Sequence, residues 1–309
     1  MTRFVLNRLC STIIVVFCVI TVTFFLSRTQ KGGAFESGKE RPAHITEALE
    51  KKYGLDGTAF EQYARYLGNL ARGDLGVSFR YRNRRVGEVI AQQLPVSLIL
   101  GSVAFVIATC GGIVLGMIAA VGRNRWPDYL AMLFALLAIS VPTFITGPLL
   151  IGYLSLRLGW FPPGGWLSPM SLVLPAICLA APYVAYVARL MRNSMIEVLG
   201  ADYVRTARAK GLTEGAIAAR HALKAAILPV VAFLGPLAAN LVTGSIVVES
   251  VFGLPGAGRI FVNGIQNSDT FLLCGIVVVY CLLIVFFNLV VDLLYGWLDP
   301  RIRIGNAHG

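Results

Sequence analysis

Charge is scarce in this sequence. Only 14% of its 309 residues are charged, against roughly 25% in soluble domains. With 56% hydrophobic residues and a mean hydropathy of +0.71, the chain is too apolar for disorder and a poor candidate for an ordinary water-soluble domain. Acidic residues are fewer still, 16 against 27 Lys and Arg, which leaves a net charge of +11. Only three histidines occur, His44, His221 and His308, far apart in sequence. With no HExxH and no paired His/Cys spacing, a metal site is not expected, and His221 reads as a surface residue of a helical segment. The six cysteines (Cys10, Cys18, Cys110, Cys178, Cys274 and Cys281) all lie in apolar runs without CxxC spacing, and read as buried free thiols. No GxxxxGK[ST] occurs either. The one Gly-Lys pair, Gly38-Lys39, is followed by Glu40, so the chain does not cradle ATP in a P-loop. Gly256-Ala257-Gly258 lacks the third glycine of a dinucleotide fingerprint, and residues 253–258 (GLPGAG) read as a tight turn.

What the sequence has is long uncharged runs. Residues 9–27, 89–122, 129–156, 158–188, 225–248 and 270–291 are each bounded by charges. A helix needs about 20 apolar residues to cross a bilayer, so the runs predict six transmembrane helices. Polar or Pro/Gly-rich ends, Ala91-Gln92-Gln93-Leu94-Pro95 and residues 160–169, should trim the longer ones. The first run exceeds the roughly 7–15 apolar residues of a signal peptide and is followed by Arg28, so it reads as an uncleaved span.

The basic residues then fall into place. Arg3, Arg8, Arg123, Arg125, Arg189, Arg192, Arg205, Arg208, Lys210, Arg220, Lys224, Arg301 and Arg303 share one side, and the short loops opposite carry only Arg157 and Arg259. The positive-inside rule puts the first set and both termini in the cytoplasm. The basic character is thus mainly a topology signal, and no nucleic-acid partner is expected; membrane lipid is.

Two connecting segments carry patterns of their own. In the long external loop Phe60, Tyr63, Leu67 and Leu70 recur at helical spacing, predicting an amphipathic helix on the membrane surface or against the bundle. Arg80, Arg82, Arg84 and Arg85 follow, either facing headgroups or docking an external partner. Residues 189–224 form the long internal connection. Residues 201–210 (ADYVRTARAK) predict a short helix with Asp202 and Lys210 matching its dipole. Gly211 breaks it, and Thr213 is placed to cap a second helix running through His221 toward Pro229. A helix–glycine–helix hairpin results.

Spans two to six carry no charge at mid-depth, which argues against a proton-driven carrier. Asn240, Thr243 and Gly244 in the fifth run stand at i, i+3 and i+4, and either line a pathway or bond a neighbouring helix.

Taken together the chain resembles the permease subunit of bacterial ABC importers, and within them the dipeptide/oligopeptide family, "B" type. The residues that carry the likeness are Arg3-Phe4, Arg8-Leu9, Tyr53-Gly54-Leu55-Asp56, Arg72-Gly73-Asp74-Leu75-Gly76, Leu94-Pro95 and Val141-Pro142-Thr143-Phe144. They continue with the segment DYVRTARAKG from Asp202 to Gly211, Arg220-His221-Ala222-Leu223, Leu228-Pro229, Val247-Val248-Glu249, Phe252-Gly253-Leu254-Pro255-Gly256 and Leu298-Asp299-Pro300-Arg301. The Pro-Gly-Asp-Pro that many relatives carry after the first span is replaced by residues 30–36 (QKGGAFE).

The resemblance implies an all-α integral membrane protein of the type I ABC importer permease kind, with six transmembrane helices and both termini cytoplasmic. Residues 1–28 would hold the tail and first span, 29–88 the periplasmic loop, and 89–309 a five-helix core with coupling loop 189–224 and a cytoplasmic tail. It implies that Tyr203, Val204, Arg205, Thr206, Ala207, Arg208, Ala209, Lys210, Gly211 and Leu212 form a coupling helix docked on an ATPase subunit, with Arg205-Thr206-Ala207 where the general pattern has Glu-Ala-Ala. The partners implied are a second homologous permease, two ATP-binding subunits holding ATP and Mg, a periplasmic or lipid-anchored substrate-binding protein, and a peptide substrate. No cofactor and no catalysis are expected in this chain, which would sit in the bacterial inner membrane. Relatives also serve nickel chelates, glutathione and some sugars. A non-transporting receptor or scaffold and a channel or secondary carrier are the readings from other classes.

Overall fold

In lipid every backbone N–H and C=O must be paired within its own segment, so uncharged runs of this length resolve as α-helix. The computed structural model describes residues 2–28, 55–79, 81 and 84–298. Outside them lie the 30–36 departure, His44, Tyr53-Gly54, Arg80, Arg82, Asp299-Pro300-Arg301, Arg303 and His308. The described residues are almost wholly helical, with one isolated bridge between Val77 and Arg85.

Four helical stretches are long and apolar enough to cross a membrane: Val86–Val121, Pro169–Leu199, Leu228–Val251 and Thr270–Val291. Trp126–Ser140 and Thr143–Arg157 make a fifth crossing if that pair, bent by 107°, counts as one. A shorter apolar helix, Ser11–Ser27, lies within α1 (Thr2–Arg28).

Three expected boundaries are corrected. Pro95 does not trim the second span: α3 (Val86–Val121) starts before it and runs through it, sacrificing a single helical hydrogen bond. The third run is not one straight helix. α4 (Trp126–Ser140) stops because Pro142 pushes Val141 to extended backbone (φ −89, ψ 117), and α5 (Thr143–Leu150) starts afresh, passing into a π-helical segment, Ile151–Arg157. The fourth helix, α6 (Val173–Leu199), does not end at Ala188 but carries Arg189 and Arg192 onward to Leu199. The thiol expectation is corrected as well. Cys178 and Cys274 are buried, but Cys18 and Cys110 are exposed, as apolar side chains facing a lipid solvent rather than water can be.

The chain packs as two units, one drawn from Met1–Ser97 and Pro255–Val285, the other from Leu98–Leu254 and Phe286–Gly309. In the first, α2 (Ala59–Ala71) is the predicted amphipathic helix, opened by a capping box between Thr58 and Glu61. Its Tyr66 is buried between Phe24 of α1 and Phe271, with ring centroids 6.0 and 5.7 Å away. The second short helix of this unit is α12 (Ala257–Gln266). Gly256 caps its start and Gly258 is buried inside it, so only the first half of GLPGAG is a turn. Ile260 of α12 clusters with Val86, Val89 and Leu272. Asp269, wholly buried, accepts from the Ser78 hydroxyl (2.6 Å), the Phe79 N–H (2.8 Å) and the Leu272 N–H (3.1 Å). This one carboxylate ties the 77–79 segment to the first turn of α13 (Thr270–Leu298).

In the second unit α3 crosses α6 at glycines spaced i and i+4. A Cβ on Gly112 would lie 2.5 Å from Val187 Cβ, and one on Gly116 only 2.6 Å from the Ala188 carbonyl oxygen. Small residues allow this backbone approach, which stands in for the hydrophobic drive that lipid removes. Gly116→Val is therefore expected to destabilise the chain by about 3 kcal/mol or more, since the obstruction is backbone. Gly152→Val, which meets nothing within 4 Å, should not. Thermal unfolding of the detergent-purified proteins checks this; equal Tm values for the two variants would contradict the packing.

Candidate functional site

The segment Asp202–Gly211 forms the predicted hairpin. α7 (Asp202–Ala209) begins one residue after Gly200-Ala201 ends α6, so little slack separates the two helices. Its C-terminus is a Schellman turn. The Gly211 N–H bonds the Arg208 carbonyl (2.9 Å), the Leu212 N–H bonds the Ala207 carbonyl (3.4 Å), and Gly211 sits at φ +80. Thr213 then caps α8 (Glu214–Ile217) through the Ala216 N–H. The predicted second helix is continuous only in a loose sense: a π-helical turn, Ala218–Ala222, and a short α9 (Leu223–Ala226) carry it to α10 (Leu228–Val242).

Ten residues were expected to act together here, and the structure sorts them into two faces. Val204 and Ala207 are buried with Ile217 and Ala218 beneath the hairpin. Tyr203, Arg205, Thr206, Arg208, Ala209, Lys210, Gly211 and Leu212 are exposed. The outward surface is thus basic with two large apolar side chains, Tyr203 and Leu212.

Arg208 bridges the turn. Its guanidinium donates to both Glu214 carboxylate oxygens, 2.6 and 3.1 Å, and to the Leu199 carbonyl at the end of α6, 3.2 Å. The hydrogen bonds from Arg208 hold the Glu214 carboxyl below its ordinary value and raise the Arg208 guanidinium. The sequence places Arg208 in the coupling segment; its ion pair with Glu214, six residues on, is a further role that the spacing of the two charges could have signalled.

The three pathway candidates do not share one helix face. Asn240 is exposed on α10, but Thr243 caps that helix, its hydroxyl bonded to the Ala239 carbonyl (2.9 Å). Gly244 at φ +87 ends the run before α11 (Ile246–Val251), which Ser245 caps. They mark a break in the fifth span rather than a stripe.

One site was missed altogether. Asp128, 2% exposed in the first turn of α4, forms a two-pronged pair with Arg192 of α6: Nε to Oδ1 and Nη2 to Oδ2, both 2.6 Å. Its Oδ2 also accepts from the Asn124 N–H (3.0 Å), where Asn124 takes φ 59 in the preceding turn. Opposite charges at the margins of two neighbouring apolar runs were the available signal.

Comparison with known proteins settles the family. Residues 112–304 match the model of the binding-protein-dependent transport system inner membrane component, and residues 1–101 match that of its N-terminal membrane component. The chain belongs to this family. Similar to it are the oligopeptide transport system permease protein OppB of Haemophilus influenzae, 43% identical over 98% of this chain and 100% of that one, and the dipeptide transport system permease protein DppB of Bacillus subtilis, 40% identical over 98% and 99%. Among solved structures, the inward-facing MetNI methionine ABC transporter matches with a TM-score of 0.58 at 17% identity, covering 68% of this chain and 96% of that one. That likeness shows a shared type I importer permease fold. The chain is therefore a multi-pass inner-membrane transport component and not an enzyme.

The Arg208 bonds lead to a measurable expectation. A carboxyl held low in the folded state stabilises above its ordinary value of 4.5, and the contribution is lost as pH falls through the lowered value. Both groups are exposed, so the effect is at most about 1 kcal/mol, or about fivefold in opening. Amide-exchange protection over residues 202–217, corrected for intrinsic rates, should fall by that factor in Arg208→Ala at neutral pH and in the wild type once the pH has fallen through the lowered Glu214 value, well below the ordinary 4.5. Unchanged protection in Arg208→Ala would contradict the assignment.

Proposed function

We propose that this chain is the permease subunit of an ATP-driven peptide importer and forms half of its translocation pathway. Likeness to the oligopeptide and dipeptide permeases along nearly the whole chain supports the substrate class. The observation that carries the mechanism is the hairpin, whose basic and apolar outer face is presented on a turn bonded back to the end of α6. In this reading the first helix, the bent pair and the four long helices make six crossings with both termini cytoplasmic. The topological scheme is 1–28, 29–88 and 89–309.

Residues Tyr203–Leu212 dock an ATPase subunit, one of two that hold ATP and Mg. A second, homologous permease completes the pathway, and a substrate-binding protein delivers peptide from outside. ATP-driven closure of the ATPases moves the hairpin, the spans open outward, and hydrolysis resets them. Asn240, Thr243 and Gly244, at the break of the fifth span, face the pathway. A permease for nickel chelates or glutathione is the alternative within the same family.

The test is uptake by proteoliposomes holding the whole importer, with ATP inside and the binding protein outside. Labelled tri-alanine should accumulate, nickel–histidine and glutathione should not; the reverse pattern would overturn the substrate class. Two glycine variants test the hairpin. Gly211 and Gly253 both take positive φ with open space at the Cβ position, so valine costs each about 1–2 kcal/mol of backbone strain. Gly211→Val should lose ATPase co-purification and uptake, while Gly253→Val keeps co-purification. Wild-type behaviour of Gly211→Val would reduce the hairpin to a passive connector.

A further inference from the structure

The hairpin explains how an ATPase is gripped but not how its movement reaches the pathway. The second unit contains a continuous set of contacts that leads there. Arg208 bonds the Leu199 carbonyl, so the hairpin is fixed to the end of α6. Arg192 stands on the same unbroken helix, seven residues earlier and so about 10 Å along its axis. Its fork on Asp128 fixes the first turn of α4. The start of α5 meets α6 again through the Cys178 thiol, which donates to the Thr143 carbonyl (3.7 Å). α5 in turn packs on α11: a Cβ on Gly147 would lie 2.8 Å from Val251 Cγ1. α11 begins directly after the Thr243–Ser245 break.

The chemistry of the Asp128–Arg192 contact suits a joint better than a filler. A buried ion pair is a poor source of stability, because desolvation offsets the attraction. What a two-pronged Arg–carboxylate pair supplies is fixed geometry. Asp128 is almost wholly shielded, Arg192 less so, and the third acceptor bond, from the Asn124 N–H, sets the angle at which the chain enters α4. The pair therefore fixes α4 to α6 in both position and direction. The 107° bend beyond Ser140 turns a rotation of α4 into a displacement of α5.

We propose that Asp128 and Arg192 are positioning residues of the transport cycle. They make the bent pair α4–α5 follow the coupling hairpin, so that nucleotide-driven movement is delivered to the break in the fifth span. The inference rests on the importer reading above and adds to it the internal joint.

The experiment compares the assembled importer, with its ATPase subunits and binding protein, in proteoliposomes supplied with labelled tri-alanine. The readout is peptide taken up per ATP hydrolysed. Failure of the wild-type complex to take up peptide with ATP would sink the importer reading; the joint is judged on the variants of a working complex. Asp128→Asn should assemble and hydrolyse ATP within about threefold of wild type, while uptake per ATP falls about tenfold or more. Asp128→Glu, which keeps the charge and the fork, should recover most of the ratio. The double variant Asp128→Leu with Arg192→Met leaves no charge buried and should be as uncoupled as Asp128→Asn. A wild-type ratio in Asp128→Asn or in the double variant overturns the proposal. So does failure of the double variant to assemble, since the pair would then serve folding and not coupling.

Discussion

The hairpin's orientation depends on the Arg208 guanidinium, which spans the turn to Glu214 and reaches back to the Leu199 carbonyl. An eight-residue helix such as α7 is marginal by itself. Burial of Val204, Ile217 and their neighbours holds it down, at about 1.5–3 kcal/mol for each large apolar side chain. An exposed ion pair contributes about 0.2–1 kcal/mol, so Arg208 is not what keeps the hairpin folded. Its role is angular. The three nitrogens of its planar fork hold two carboxylate oxygens and one carbonyl in a single geometry, which a point charge on a flexible stem would not do.

Around that fixed end the helices are either tightly seated or deliberately interrupted. α3 meets α6 backbone to backbone at Gly112 and Gly116. By contrast, the third and fifth spans are broken, at Val141-Pro142 and at Thr243–Ser245. Breaks in membrane helices leave backbone groups that must find partners. Here the Thr243 hydroxyl supplies part of the answer, donating to the Asn240 carbonyl (3.3 Å) at the end of α10. Close packing of α3 on α6 thus leaves the third and fifth spans as the interrupted elements of this unit.

Much of this was legible in the sequence wherever the signal is local. Uncharged runs gave the apolar helices, the spacing of Tyr63, Leu67 and Leu70 gave α2, and Gly211 with Thr213 gave the hairpin turn and its cap. One group of departures arises from taking charge as a boundary marker. That rule stopped the fourth helix at Arg189, because it treats each charge as facing water, whereas Arg192 is answered by Asp128 across 64 positions of sequence. Asp269 likewise reads from sequence as a charge that bounds a span, whereas it is buried, with its partners Ser78 and Phe79 remote in the chain. The bend at Pro142 and the left-handed Gly244 were hidden by composition, which registers neither backbone geometry nor its partner groups.

Bonded through Arg208 to the Leu199 carbonyl, the hairpin moves with α6 as one piece. Spin labels at the exposed positions Asn193 and Ala209, one on each side of the Arg208–Leu199 contact, measure this directly by pulsed EPR in the assembled importer. One distance, constant to within about 2 Å, is expected in the nucleotide-free and ATP-trapped states. A nucleotide-dependent change well beyond that would show the hairpin swinging independently of α6 and would contradict the account.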